Sequence, residues 1–298
     1  MGSGDEWPFL SRNEALQFQL NRVTEAGHTP GAPGGGVPMK TADVMRRDWD
    51  DRAQKNALFY IEDSQKNWDA DAFFRSGEED YGEFVSPVLA ETGFDPAGKT
   101  IVELGCGAGR MSRSFAQRFN KVIGIDISAE MLKRGRELLP EAPNIEWLQG
   151  NGLDLGNVPS ESADFAFSYL VMQHMPAKPV VSRYVSEIVR VLRPGGVFLF
   201  QYNSLAAPSM NLKGRMAWAV IDAVWSLGLV GLSRKIAGGF GFDPLTAGRA
   251  WRGAIVSRTE MCAFVESAGG SVMGTKNDGT SAAWCYGTRR AGPPSTAS

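Results

Sequence analysis

Histidine and cysteine are scarce: the 298 residues include two of the first and three of the second. Cys106, Cys262 and Cys285 are scattered and form no Cys-x-x-Cys pair. That pattern argues against a disulfide framework and a zinc site, so no metal is expected, and it points to a reducing compartment. Charge of one sign is also lacking. The net charge is -2, no broad positive field exists to hold a polyanion, and the basic pairs Arg46-Arg47 and Arg289-Arg290 read as solvated surface. No nucleic-acid partner is expected. The first residues lack the basic start and apolar run of a secretory leader, and no repeat period is present. The cytoplasm is the expected location. What remains, 43% apolar and 21% charged residues, is the composition of a globular domain with a sizeable core.

Gly27 to Pro38 is a glycine- and proline-rich linker that cannot bury a core. Residues 1–38 are therefore read as a flexible extension, 39–290 as one domain and 291–298 as a tail. Val44, Trp49, Ala53, Ala57 and Ile61 recur at roughly one-turn spacing and predict a helix from Thr41. Between Thr100 and Phe200 strands and helices alternate. "TIVEL", "KVIGID", "NIEWLQ", "ADFAFSYL" and "VFLFQY" are predicted strands, with Ser128 as a helix N-cap and "RPGG" as the turn that ends the helix over Val180 to Leu192. Such alternation gives an α/β fold, a parallel sheet with helices on both faces. After Tyr202 an insert of about 203–257 interrupts the pattern. A last helix and two strand-like runs, near Gly270 to Met273 and Ala282 to Gly287, then close the sheet as a hairpin.

"IVELGCGAGR" (Ile101 to Arg110) places glycines at 105, 107 and 109 directly after the first strand. The first strand-to-helix turn of an open parallel sheet lies where ligands bind, and glycines let a ligand approach the backbone. Dinucleotides and S-adenosylmethionine both fit such a loop. The dinucleotide fingerprint G-x-G-x-x-G requires glycine at position 110, where Arg110 stands. Asp126 ends the second strand 21 residues after Gly105, where a carboxylate can accept hydrogen bonds from both ribose hydroxyls of either cofactor.

"VELGCGAGR" resembles motif I of the class I S-adenosylmethionine-dependent methyltransferases, in particular the small-molecule group similar to the quinone-biosynthesis enzymes. The resemblance covers about Thr100 to Tyr202. It implies a doubly wound, mostly parallel, seven-stranded Rossmann-like sheet, with S-adenosylmethionine as cofactor and S-adenosylhomocysteine as product. It also implies that Gly105, Cys106, Gly107, Gly109 and Arg110 form the loop against the methionine part, with Glu103 ordering the loop or the amino group. Ile127 and Met131, just after Asp126, are counted with the cofactor-binding set. In "LQGNGLD" the resemblance places Asn151, Gly152 and Leu153 beside the adenine, Asn151 standing where an aspartate is often found.

His28 falls in the linker, which leaves His174, in "SYLVMQHMP" just past the fourth strand, as the candidate base or substrate-orienting group. Tyr169 and Leu170 on the same loop are expected to line the cofactor pocket. Trp49, Phe59 and Tyr60 on the early helix are expected lid residues, and Arg52 a weaker candidate for the cofactor carboxylate. Within the insert, Met216 to Leu232 carries one charge, Asp222. It lies at the lower edge of spanning length and reads as no transmembrane helix. It is expected to cap an apolar or aromatic methyl acceptor, with Trp218 and Trp225 as walls. The other readings are a buried helix or a weak membrane or dimer contact flanked by Lys213, Arg215, Arg234 and Lys235. The expected activity is methyl transfer to an oxygen, nitrogen or carbon of a small molecule. The alternatives are an NAD-dependent oxidoreductase and a non-catalytic S-adenosylmethionine-binding partner protein.

Overall fold

The structure is a computed structural model that describes residues 39–62, 67–205, 212–241 and 253–291. The expected flexible extension, with His28 and the linker, lies outside the described residues, as does the tail from 292.

Seven strands form one sheet in the order β3-β2-β1-β4-β5-β7-β6. They are β1 (Thr100–Leu104), β2 (Lys121–Asp126), β3 (Ile145–Gln149), β4 (Ala163–Ser168), β5 (Leu192–Tyr202), β6 (Gly270–Lys276) and β7 (Ala283–Arg289). The first five pair in parallel, and β7 runs antiparallel between β5 and β6. The expected doubly wound sheet and its closing hairpin are both present. Chain order runs outward from β1 to β3 and then returns to β4 on the other side of β1. The reversal lies between β1 and β4, whose ends meet at the Leu104 and Ser168 pair.

Both faces of the sheet are covered, which is why the strands read as continuous apolar runs rather than alternating ones. Along β1, Ile101 joins Phe165, Phe167, Val197 and Leu199 on one face, under Phe73, Val85 and Phe115. Val102 joins Ala166, Phe198 and Phe200 on the other, under Val181, Val185, Ile188, Met261 and Val265. The first face is roofed by α2 (Ala70–Asp80), a π turn (Tyr81–Val85), α3 (Ser86–Thr92) and α4 (Arg110–Ala116). The second is roofed by α6 (Lys178–Val191) and α9 (Arg258–Ser267), with α5 (Ala129–Leu138) beside β2 and β3. Ser128 caps α5 as its sequence predicts, its hydroxyl accepting from Met131 N at 3.2 Å. Ser257 and Glu260 make a reciprocal capping box at α9.

One local expectation is refined and one corrected. The helix α6 ends at Val191, just before "RPGG" as expected, but β5 already starts at Leu192, and Arg193 to Gly196 bulge out between the Ala163/Leu192 and Phe165/Val197 pairs. The insert is not one helix but two, α7 (Leu212–Ser226) and α8 (Val230–Gly239), broken at Gly228 with φ +80°. Among the described residues no helix is long and apolar enough to cross a membrane.

Helix α1 (Met39–Ile61) lies across the carboxyl end of the sheet and supplies the remaining cover. Asn56 leaves helical geometry (φ -166°, ψ 86°), and its side-chain oxygen accepts from Phe59 N at 3.2 Å, restarting the helix for one more turn. That turn carries Tyr60 and Ile61.

Candidate active site

At the end of β1 the chain turns through Gly105, Gly107 and Gly109 with φ of +76°, +54° and +86°, the left-handed region that favours glycine. The loop is packed as well as turned. A Cβ at Gly105 would overlap Val171, and one at Gly107 would stand 2.8 Å from Ile61. Gly105 N and Cys106 N donate to Ile125 O at 2.6 and 3.0 Å, tying the loop to β2. Asp126 Oδ2 accepts from Gly107 N and Oδ1 from Ser128 N, both at 2.9 Å. One carboxylate thus holds the loop and the start of α5 together.

Burial pushes the Asp126 carboxyl up to about 6, against the lowering effect of the Ser128 and Gly107 N–H groups, with Asp50 pushing it further up. Burial likewise raises Glu103 to about 7, against the hydrogen bond from Ser112 Oγ at 2.5 Å. Two acids, Glu103 buried and Asp126 half-buried, therefore stand at the adjacent ends of β1 and β2, both raised toward neutrality. Perturbed carboxyls in a cleft are candidates for a functional site.

They line a cavity of about 190 Å³. Of the residues singled out from the sequence, the cavity gathers Trp49, Tyr60, Glu103, Gly105, Cys106, Gly107, Arg110, Asp126, Ile127, Met131, Gly152, Tyr169, Leu170 and His174. Arg110, the first residue of α4, is buried and ion-paired with Asp80 at 2.5 Å and Glu62 at 3.9 Å. Its guanidinium lies over the Tyr169 ring, 5.4 Å from the centroid. Leu170 takes φ +59°, and its N–H donates to Gln201 Oε1 at 2.9 Å. His174 sits in a short 3₁₀ turn (Met172–His174) and packs T-shaped against Trp49, with ring centroids 5.6 Å apart. Helix α1 thus closes on the loop after β4.

Several expected residues are not in the cavity wall. Gly109 packs under Trp147 and Leu139. Asn151 is exposed and folds onto its own loop, donating to Asp154 Oδ1 at 2.6 Å while its carbonyl accepts from Leu153 N and Asp154 N. Gly150 and Gly152 face the cavity in place of Asn151 and Leu153. Trp218 packs with Ile221 and Ala237 between α7 and α8. Trp225 packs with Val44, Met45, Trp49 and Ile127, on the outer side of α1. The helical hairpin therefore backs the lid instead of walling the cavity, because its tryptophans find apolar partners within the fold. Arg52 pairs with Asp48 at 3.2 Å and lies over the Trp49 and Tyr60 rings without joining the cavity wall. Arg234 also pairs with Asp48, so this flanking cation is an internal tie.

Met45, Ile61, Val171, Gln173, Met175 and Tyr184 line the cavity unforeseen. For Gln173 a signal was present, its place beside His174 in the post-β4 loop. The others are apolar or aromatic residues at ordinary helical or loop positions.

The residues fit an adenosine bearing a cationic tail. Bare main chain at Gly105 and Gly107 allows close approach, Asp126 offers two carboxylate oxygens, Ile127 and Met131 offer apolar cover, and Glu103 offers a counter-charge. Comparison with known proteins agrees. Residues 102–200 match the methyltransferase domain family. Trans-aconitate 2-methyltransferase from Azoarcus sp. is 34% identical over 137 residues, 45% of this chain and 50% of that protein. 2-Methyl-6-phytyl-1,4-hydroquinone methyltransferase from Synechocystis is 33% identical over 120 residues, 39% of this chain and 36% of that protein. The chain thus spans half or less of the length of these curated relatives. The crystal structure of magnesium protoporphyrin IX methyltransferase from Synechocystis shares the fold, with TM-score 0.54 and 16% identity, covering 84% of this chain and 99% of that one.

Proposed function

We propose that this protein, whose residues 102–200 match the methyltransferase domain family, is a class I S-adenosylmethionine-dependent methyltransferase that transfers a methyl group to an oxygen, nitrogen or carbon of a small, apolar or aromatic molecule. The observation that carries the reading is the convergence of Glu103, the Gly105 to Gly107 loop, Asp126 and His174 on one cavity beneath the aromatic lid. S-adenosylmethionine, when bound, would supply an electrophilic methyl to the acceptor and leave as S-adenosylhomocysteine. Asp126 would hold the ribose hydroxyls, Glu103 would offer a counter-charge to the cationic methionine tail, and Ile127 and Met131 would give the adenosine apolar cover. Holding the nucleophile in line accounts for on the order of 7–11 kcal/mol of the barrier. His174 orients the acceptor or takes its proton when it carries one.

An apolar or aromatic acceptor is supported by the walls Met45, Trp49, Tyr60, Val171 and Met175. The NAD alternative loses support from Arg110, which fills the fingerprint's third glycine position and is held by Asp80. Calorimetry of ligand-free protein with S-adenosylmethionine and S-adenosylhomocysteine tests the reading, and binding of both is expected. No heat with either, together with an Asp126→Ala variant that alters no ligand's affinity, would sink it. Bound cofactor without label transfer to any of a set of aromatic acceptors would favour the non-catalytic alternative.

A weak contact to a bilayer or a second copy is a further reading of the hairpin. Met216, Val220, Leu227, Leu229, Leu232 and Phe240 are its exposed large apolar side chains. Flotation with anionic liposomes would mark the bilayer, and concentration-dependent sedimentation the second copy.

A further inference from the structure

One turn of α1 is tied to three other elements. Successive helical residues point about 100° apart, and Asp48, Trp49 and Asp50 use that spread. Asp48 accepts from Arg234 of α8. Trp49 packs T-shaped on His174 and lines the cavity. Asp50, half-buried and outside the cavity wall, turns to α5. Its Oδ1 accepts from Ser128 Oγ at 2.5 Å, with Glu130 N at 3.5 Å beside it.

Ser128 is the joint of this contact. Its hydroxyl proton goes to Asp50, and its hydroxyl oxygen accepts from Met131 N at 3.2 Å. Its own N–H donates to Asp126 Oδ1 at 2.9 Å. One residue thus holds both the acid on the lid and the acid at the end of β2. A carboxylate is favoured at a helix N-terminus by the unpaired N–H groups and the helix dipole. The like charge of Asp126 acts against it. The contact is a balance of opposing terms, strong enough to close and weak enough to open.

The lid has to move. Met45, Trp49, Tyr60 and Ile61 bring α1 over a cavity of about 190 Å³, whereas ligand sites take roughly 300–1,000 Å³. The break at Asn56 lets residues 39–55 turn as one piece, carrying Trp49 and Asp50 and leaving Tyr60 and Ile61 behind.

We propose that Asp50 is the latch of this lid: a positioning residue that, from outside the cavity, holds α1 shut over the cofactor through the hydrogen bond from Ser128. The inference rests on the methyltransferase reading above and adds the control of ligand entry and release. When ligand passes only through the open form, a latch shared by the empty and the occupied protein slows entry and release by the same factor and leaves Kd unchanged. A residue that merely shapes the site would slow release alone and tighten Kd. The two rates therefore separate a latch from a binding contact.

The test is stopped-flow mixing of the full chain with S-adenosylhomocysteine, followed by tryptophan fluorescence. It is run at pH 8, well above the Asp126 value of about 6, so that loss of the Asp50 charge does not change the ionisation of Asp126. Asp50→Ala removes the acceptor and leaves Ser128 free to cap α5. Both the association and the dissociation rate are expected to rise at least about tenfold, the size expected for losing a hydrogen bond to a charged group. Kd should stay within about threefold of wild type. Asp50→Asn keeps an oxygen for Ser128 Oγ and should raise both rates less. The proposal is overturned if either rate in Asp50→Ala falls short of that rise, if Kd moves further, if Asp50→Asn matches Asp50→Ala, or if Asp50→Ala alone loses binding. Failure of wild type to bind S-adenosylhomocysteine at all would instead count against the methyltransferase reading.

Discussion

Desolvation within the fold pushes the carboxyls of Glu103 and Asp126 up, to about 7 and about 6. Their unfolded values are about 4.3 and 3.9. Between those limits the folded state binds more protons than the unfolded one. Their relative contribution to stability is therefore fully present below about pH 4 and lost as pH rises through 6 and 7. Ligand binding runs the other way, since ribose hydroxyls and an ammonium group both favour the anions. Affinity for S-adenosylhomocysteine should rise at least about tenfold between roughly pH 5.5 and 7.5, measured by calorimetry in two buffers so that the released protons are counted. Asp126→Asn should flatten part of that rise and weaken binding at the upper pH by about 10- to 100-fold, the worth of about 1.5–3 kcal/mol for hydrogen bonds to a charge. A flat profile in wild type would contradict this assignment. These two acids and the glycines were legible in the sequence because they sit in contiguous segments at strand ends, where the chain itself fixes their neighbours. Met45 and Tyr184 were not, since they reach the cavity from separate elements.

Helix α1 is the lid, and its outer side rests on the α7–α8 hairpin through Trp225 and the buried Asp48, which accepts from both Arg52 and Arg234. Trp225 is 1% exposed. Trp225→Ala should cost about 3 kcal/mol or more, the lower end for loss of a buried large aromatic. The loss should fall on the lid: amide exchange should quicken across residues 39–61 while β1 and β4 stay protected, and S-adenosylhomocysteine should bind several-fold more weakly. Uniform loss of protection across the sheet would instead make Trp225 part of the global core. Helical spacing identified α1, α5 and α6 correctly. It could not tell that Trp218 and Trp225 face neighbouring helices, because an aromatic residue on an apolar stripe reads the same whether it meets protein or substrate. The break at Gly228 was missed for a similar reason: one glycine in an apolar run costs only about 1 kcal/mol, and the sequence permits its left-handed φ of +80° without requiring it.

For the whole molecule, S-adenosylhomocysteine at a hundredfold excess over its Kd should add about 2.7 kcal/mol. For a domain of this size that is a rise in Tm of roughly 5–10 °C, readable by scanning calorimetry, and NAD at the same concentration should give none. A shift with NAD and not with S-adenosylhomocysteine would reverse the assignment. The overall class was legible from the strand and helix alternation between Thr100 and Phe200. The neighbours of each strand were not, since sheet order depends on contacts between distant segments. The antiparallel β7 sits between β5 and β6 and pairs with β5 from Val197 to Tyr202. On a ribosome adding roughly 5–20 residues per second, β5 emerges about eighty residues before the strand that covers its open side. For some seconds the growing chain displays a bare run of Val197, Phe198, Leu199 and Phe200, an aggregation hazard written into the threading order itself.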